Sequence, residues 1–312
     1  MRTLALVRWE IVQTIRGLAP HMAITLVSLA SAGLVAVGVF LLDLWSPFPS
    51  TPAGVLRTDN NNSAQALSLL GEYRGGVVFM AILAWLVLLV SLVGPAFTAG
   101  AIVRDRRSGR LDRVLADASR ADAVALAKLL AGLIPIGIVL LGVGPSTSFA
   151  WLVGGMATRE AIASVGVFLI VVVLVAAIGL LCSAVATTEV AALVASYVAV
   201  AGLLLGPLVA GVGLGLAGFR VAAGVVLSFD PLVAMLSVQT RFAFGFTRTI
   251  LPEWTGLRLI WTIGKTRLPV WAVDVLVYAL LAVVLVWLTS VIIEPLHPLK
   301  TWRVRRAPLI SR

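Results

Sequence analysis

The sequence predicts an all-α integral membrane protein with about six transmembrane helices. Apolar residues make up 60% of the 312-residue chain, against about 45–50% in soluble domains. Charged residues make up 12%, about half the usual share. Those charges also cluster, and the windows between them are apolar on every side. A soluble helix keeps one polar face for water; lipid is the solvent that suits a helix without one. The mean hydropathy of +1.07 agrees.

Residues 1–17 come first. Leu4, Val7, Ile11, Ile15 and Leu18 fall on one side of a helix, with Glu10, Gln13 and Arg16 largely opposite and Arg8 near the apolar edge. This pattern predicts an amphipathic helix on the membrane surface, with Trp9 as an anchor. The apolar run that follows is too long for a signal-peptide core and has no small-residue cleavage site, so it reads as a retained span.

A span needs about 20 mainly apolar residues, and one central Arg, Lys or Asp costs roughly 2.5–3.5 kcal/mol. Charge-limited windows place spans at 18–43, 75–103, 129–151, 161–186, 190–218 and 271–293. Pro135 and Pro207 each remove a backbone donor and predict kinks. Between the first two spans lies a polar segment rich in Pro and Asn. Residues 104–128 are a dense run of both signs, and Thr187-Thr188-Glu189 is a tight turn. Residues 219–270 form a long extracytoplasmic segment with short interfacial helices, and 294–312 a basic tail.

Lys and Arg favour the cytoplasmic side. With six spans and a cytoplasmic N-terminus, the inner pieces hold Arg2, Arg8 and Arg16, then Arg104, Arg106, Arg107, Arg110, Arg113, Arg120 and Lys128, then Lys300, Arg303, Arg305, Arg306 and Arg312. This predicts a multi-pass protein of the cell membrane with both termini cytoplasmic. Dividing 190–227 into two spans would bring the basic part of 219–270 inside, but would move the more basic tail outside. The net charge of +10 belongs to these collars. No nucleic-acid-binding motif accompanies it, so no nucleic-acid partner is expected.

Few motifs carry chemistry. Gly213, Gly215 and Gly218 fit G-x-G-x-x-G, but in an apolar run without the strand and acid that a dinucleotide site needs. Gly264-Lys265-Thr266 resembles the end of a phosphate loop, yet Leu259 stands where its first glycine belongs. Gly202 with Gly206, and Gly211 with Gly215, have the spacing that lets helices approach closely. Cys182 is the single cysteine and reads as packing filler. Asp43, Asp274 and Glu294 fall at span ends, so no ionisable residue is expected at mid-depth. A proton-coupled carrier, a channel or a membrane-embedded enzyme would need polar groups there.

The informative segment is 104–128. Leu111, Val114 and Leu115 stand at i, i+3 and i+4 and share a helix face. Charges surround them, with Asp105, Arg106, Arg107 and Arg113 as a polar rim. A short helix with a small apolar ridge suits docking in a groove of another protein; a solvated charged loop is the alternative.

Asp105, Arg106, Gly109, Leu111, Asp112 and Leu115, followed by Ser119-Arg120 and Lys128, resemble a loop in the permease subunits of type-two ATP-binding-cassette transporters. The branch containing the nitrous-oxide-maturation and gliding-motility permeases is the most similar. That loop reads roughly E-R-E-x-G-T-L-D-x-L-L, then Ser-Arg, then Gly-Lys. Arg107, Arg110, Ala118 and Ala127 depart from the pattern. Residues 7–16 look like the family's N-terminal elbow helix, and Asp230-Pro231 with Tyr278 are similar to its Asn-Pro and Tyr landmarks.

The resemblance implies a permease subunit that exports an apolar or amphipathic substrate. Its partners would be a second permease subunit, identical or not, and a separate ATPase subunit. ATP and magnesium would bind that ATPase, and this chain would hold no cofactor and catalyse nothing. Residues 104–128 would contain the coupling helix, with Asp105, Arg106, Arg107, Gly109, Leu111, Val114 and Leu115 at the contact.

Overall fold

The computed structural model describes residues 81–117, 121–143, 158–238, 260–263 and 266–294, with isolated positions at 30, 32, 33 and 79. The N-terminal amphipathic helix, nearly all of the first span, Gly144-Pro145 and the basic tail lie outside the described residues.

Among the described residues, five helices are long and apolar enough to cross a membrane. They are α1 (Ala81–Arg107), α3 (Ala121–Leu141), α4 (Thr158–Val185), α5 (Glu189–Leu216) and α8 (Val270–Ile293). The chain is therefore a multi-pass membrane protein. Shorter elements join them: α2 (Arg110–Asp117), α6 (Arg220–Ser228), α7 (Pro231–Val238) and a hairpin of β1 (Ile260–Ile263) and β2 (Thr266–Pro269). The hairpin is antiparallel, with Ile260 opposite Pro269. β2 leads directly into α8.

Three windows match their helices within three residues at each end. Two do not. The second span continues to Arg107, so Arg104–Arg107 are helical rather than loop. The third helix begins at Ala121, eight residues before the predicted span, and carries Lys128 inside it. Pro135 and Pro207 sit within continuous helices.

The core lies among α1, α3, α4 and α8, where Val90, Ile102, Ile136, Leu174, Leu180 and Tyr278 are buried. Glycines set the closest approaches. A Cβ at Gly94 would stand 2.7 Å from Val175 Cγ1, and one at Gly132 would stand 2.7 Å from Thr98 Cγ2. A Cβ at Gly179 would overlap Thr98 Oγ1. Thr98 thus sits between α3 and α4 only because both present glycine there. Hydroxyls in the spans bond back to their own helix, as Ser91 does to the Val87 carbonyl at 2.7 Å and Ser196 to Ala192 at 2.7 Å. This satisfies them without water.

The connection from α4 to α5 is as short as the sequence predicts. Thr188 caps α5, its Oγ1 accepting from Ala191 N at 3.1 Å, which fills one of the helix's orphan donors. At the far end of α5, Gly218 takes a left-handed φ of +88°. The glycine-rich run is thus a helix and its terminator.

The segment after α5 departs from a surface connection. α6 packs back along α5, with Leu227 against Gly211. α7 contacts α4 and α8 and buries Val233, Ala234, Met235 and Val238. The predicted short helices exist, but they fold into the bundle. Of the two glycine pairs, Gly211 serves this packing and Gly215 is buried, while Gly202 and Gly206 face open space.

Candidate functional site

The 104–128 region forms one end of the bundle, where α1 ends, α2 turns back, α3 begins, and α4 passes into α5. Near this end α1 is interrupted by a turn at Ala99-Gly100. The turn frees the amides of Ile102 and Val103. Both donate to Ser183 Oγ of α4, at 2.9 and 3.2 Å. One hydroxyl therefore repairs the backbone break and ties two spans together.

α1 closes through Gly109, whose φ of +64° lies in the left-handed region. Glycine takes this conformation freely, whereas other residues pay about 1–2 kcal/mol. The turn sends α2 back against α1 and α3. Leu111, Val114 and Leu115 do share a face, as their spacing requires, but that face points inward. Leu111 is only 4% exposed and belongs to the core, and Val114 and Leu115 are half-buried against it. Within this chain these side chains hold α2 to its own bundle, with parts of Val114 and Leu115 left uncovered. Burial of a Leu stabilises by about 1.5–3 kcal/mol whichever molecule supplies the cover.

Of the rim residues, Asp105 turns inward and Arg107 is exposed. Asp105 is 3% exposed, with Lys128 Nζ 2.5 Å from Oδ2 and Arg110 Nη2 2.7 Å from Oδ1. Lys128 is itself only 7% exposed. Asp105 is thus the anion of a three-residue ion cluster joining α1, α2 and α3. Arg106 donates to the carbonyls of Ala184 at 2.8 Å and Ala186 at 3.2 Å. It closes the C-terminal end of α4, where orphan carbonyls and the helix dipole favour a cation. Arg107, Ser108, Gly109 and Asp112 are exposed. The side chain of Arg113 lies outside the described residues.

Beside this cluster is a cavity of about 660 Å³ between α1 and α3. Arg104, Asp105, Ser108, Arg110 and Lys128 line one part, and Ala96, Phe97, Ala131 and Pro135 another. Arg104 also lies 3.7 Å from Glu189, with both side chains solvent-exposed.

The opposite end holds a polar group that span counting missed. Asp230 and Asp274 are each 1% exposed, and each keeps one carboxylate oxygen without a hydrogen-bond partner. Asp230 Oδ1 caps α7, accepting from Leu232 N at 2.8 Å. Tyr278 donates to the Phe229 carbonyl at 2.8 Å. Asp274 and Tyr278 lie within electrostatic reach of Asp230. Burial pushes the Asp230 carboxyl from 3.8 up to about 6, opposed by the amides of Leu232 and Val233. Asp274 lies in the first turns of α8, at the span end that the sequence predicts, and is buried there. The only signal in the sequence was an Asp one turn inside an apolar window.

No protein-family model matches this chain, and neither a curated protein nor a solved structure matches it.

Proposed function

We propose that this chain is the membrane subunit of an ATP-driven exporter, working with a separate ATPase and a second permease subunit. The observation that carries the reading is the built junction at 104–117. A short helix between two spans is fixed by a left-handed glycine, an ion cluster and an apolar face, and it holds Arg107, Ser108, Gly109 and Asp112 outward. A rigid, outward charged tip suits transmission of motion from a soluble partner. The resemblance of residues 105–128 to the coupling loops of type-two permeases points the same way. The excess of Arg and Lys at this end favours its cytoplasmic placement in the cell membrane. On this reading ATP and magnesium bind the partner, and the substrate is apolar or amphipathic.

The contact differs from the one the sequence suggested. Arg107 and Asp112 lead it, with the remaining exposed sides of Val114 and Leu115. Purification from native membranes should recover a nucleotide-binding chain, and the complex should hydrolyse ATP while this chain alone does not. Arg107→Glu with Asp112→Arg should abolish recovery without lowering membrane levels. Recovery of no such chain, or equal recovery by the variant, would overturn the reading.

A second reading has one observation in its favour. Asp230 and Asp274, buried at one end of the bundle, are the kind of acidic groups that ion-coupled carriers use. Transport that stops under an uncoupler at constant ATP would select it.

A further inference from the structure

We propose that the cavity between α1 and α3 is a binding site for an anionic phospholipid. The inference requires only that α1 and α3 lie in a membrane. It stands apart from any ATPase partner.

The cavity is lined by charged side chains and by apolar ones. Its lining on α1 runs from Ala96 to Ser108, about 18 Å at 1.5 Å per helical residue. Ala96, Phe97 and Ala101 occupy the membrane-side part, facing Ala131, Gly132 and Pro135 of α3. Arg104, Arg110 and Lys128 cluster at the end where both helices leave the apolar region. A free phosphate would use only the charged end. An uncharged apolar molecule would use only the other. A lipid with an anionic headgroup uses both, with the phosphate among the cations and an acyl chain along the small residues below.

Charge balance favours an anion. Three cations line the cavity against the single carboxylate of Asp105. Glu189 offsets part of Arg104 from outside. The volume of about 660 Å³ is within the range of about 300–1,000 Å³ common for ligand sites. Basic pockets between spans at a membrane face are a recognised setting for acidic headgroups. Small residues make the apolar half possible: Ala96 and Ala101 of α1 and Ala131 of α3 leave space that larger side chains would fill.

The test uses the full-length protein purified in detergent. Binding of dioleoylphosphatidylglycerol and of dioleoylphosphatidylcholine is measured by native mass spectrometry, with inorganic phosphate as a third probe. The glycerol lipid should bind at least about tenfold more tightly than the choline lipid. A cation near a membrane face contributes about fivefold in affinity. Arg104→Gln should therefore weaken the anionic lipid about fivefold, and Arg104→Gln with Arg110→Gln about thirtyfold. Arg104 is exposed, so its variant keeps the fold, and unchanged elution in size-exclusion chromatography checks this. Ala131→Phe should remove tight binding by filling the apolar half. Equal binding of the two lipids, wild-type affinity in the double Arg variant, or displacement of the lipid by millimolar phosphate would each overturn the proposal.

Discussion

Replacing Asp105 with alanine should destabilise the protein severely, through the cations left behind rather than through the lost carboxylate itself. Lys128 is almost wholly buried, 2.5 Å from Asp105 Oδ2. At an effective dielectric of about 20, that separation corresponds to roughly 6–7 kcal/mol of attraction before desolvation is subtracted. Removing one partner of such a pair typically costs about 3–5 kcal/mol, because the other charge stays buried and uncompensated. Replacing both by apolar residues of similar size is often nearly neutral. Arg110 is half-buried, so Arg110→Gln should cost less than about 1 kcal/mol. The assay is a double-mutant cycle with Asp105→Ala, Lys128→Met and the double variant, read by thermal unfolding in one detergent. On the scale of soluble domains of 150–250 residues, 3 kcal/mol lowers Tm by about 6–12 °C. The double variant should recover most of that loss, with a coupling energy above about 2 kcal/mol. Additive losses would refute the reasoning, and would return Asp105 to the role of a surface contact residue.

Three further outcomes follow from the packing. Gly179→Ala should cost about 1–3 kcal/mol, since its Cβ would overlap Thr98 Oγ1, and Thr98→Ala should relieve most of the loss in the same unfolding measurement. Gly109→Ala should cost about 1–2 kcal/mol from backbone strain alone, because no atom lies within 4 Å of the new methyl group; a loss beyond about 3 kcal/mol would mean the turn does more than reverse the chain. For Asp230, the folded pKa of about 6 lies above the ordinary 3.8. The native state therefore holds its proton longer, and the wild type should lose stability as pH rises from about 4 to about 6. Asp230→Asn keeps the capping oxygen, so it should stabilise by up to about 3 kcal/mol at pH 7.5 and by little at pH 4. A pH-independent difference would count against burial of the charge.

The spans were legible in the sequence because lipid imposes a local rule. Each crossing must be apolar all round for about 20 residues, and neither a partner nor a fold is needed to see that. The windows 161–186, 190–218 and 271–293 therefore lie close to α4, α5 and α8. The tight turn at Thr187–Glu189 was legible for the same reason, being written in adjacent residues. The rule failed where a charge was neutralised from afar. Lys128 marked an apparent boundary, yet α3 extends past it because Asp105, 23 positions earlier, supplies the opposite charge.

Periodicity established that Leu111, Val114 and Leu115 share a face, but not which way it looks. That direction depends on the Gly109 turn and on the space that α1 and α3 leave beside it. Asp230 likewise comes within electrostatic reach of Asp274 because α7 packs against α8. A sequence specifies which residues are apolar, charged or small, and which of them lie on one side of a helix. What covers each side is set by contacts between residues distant in the chain, and only the tertiary structure decides those.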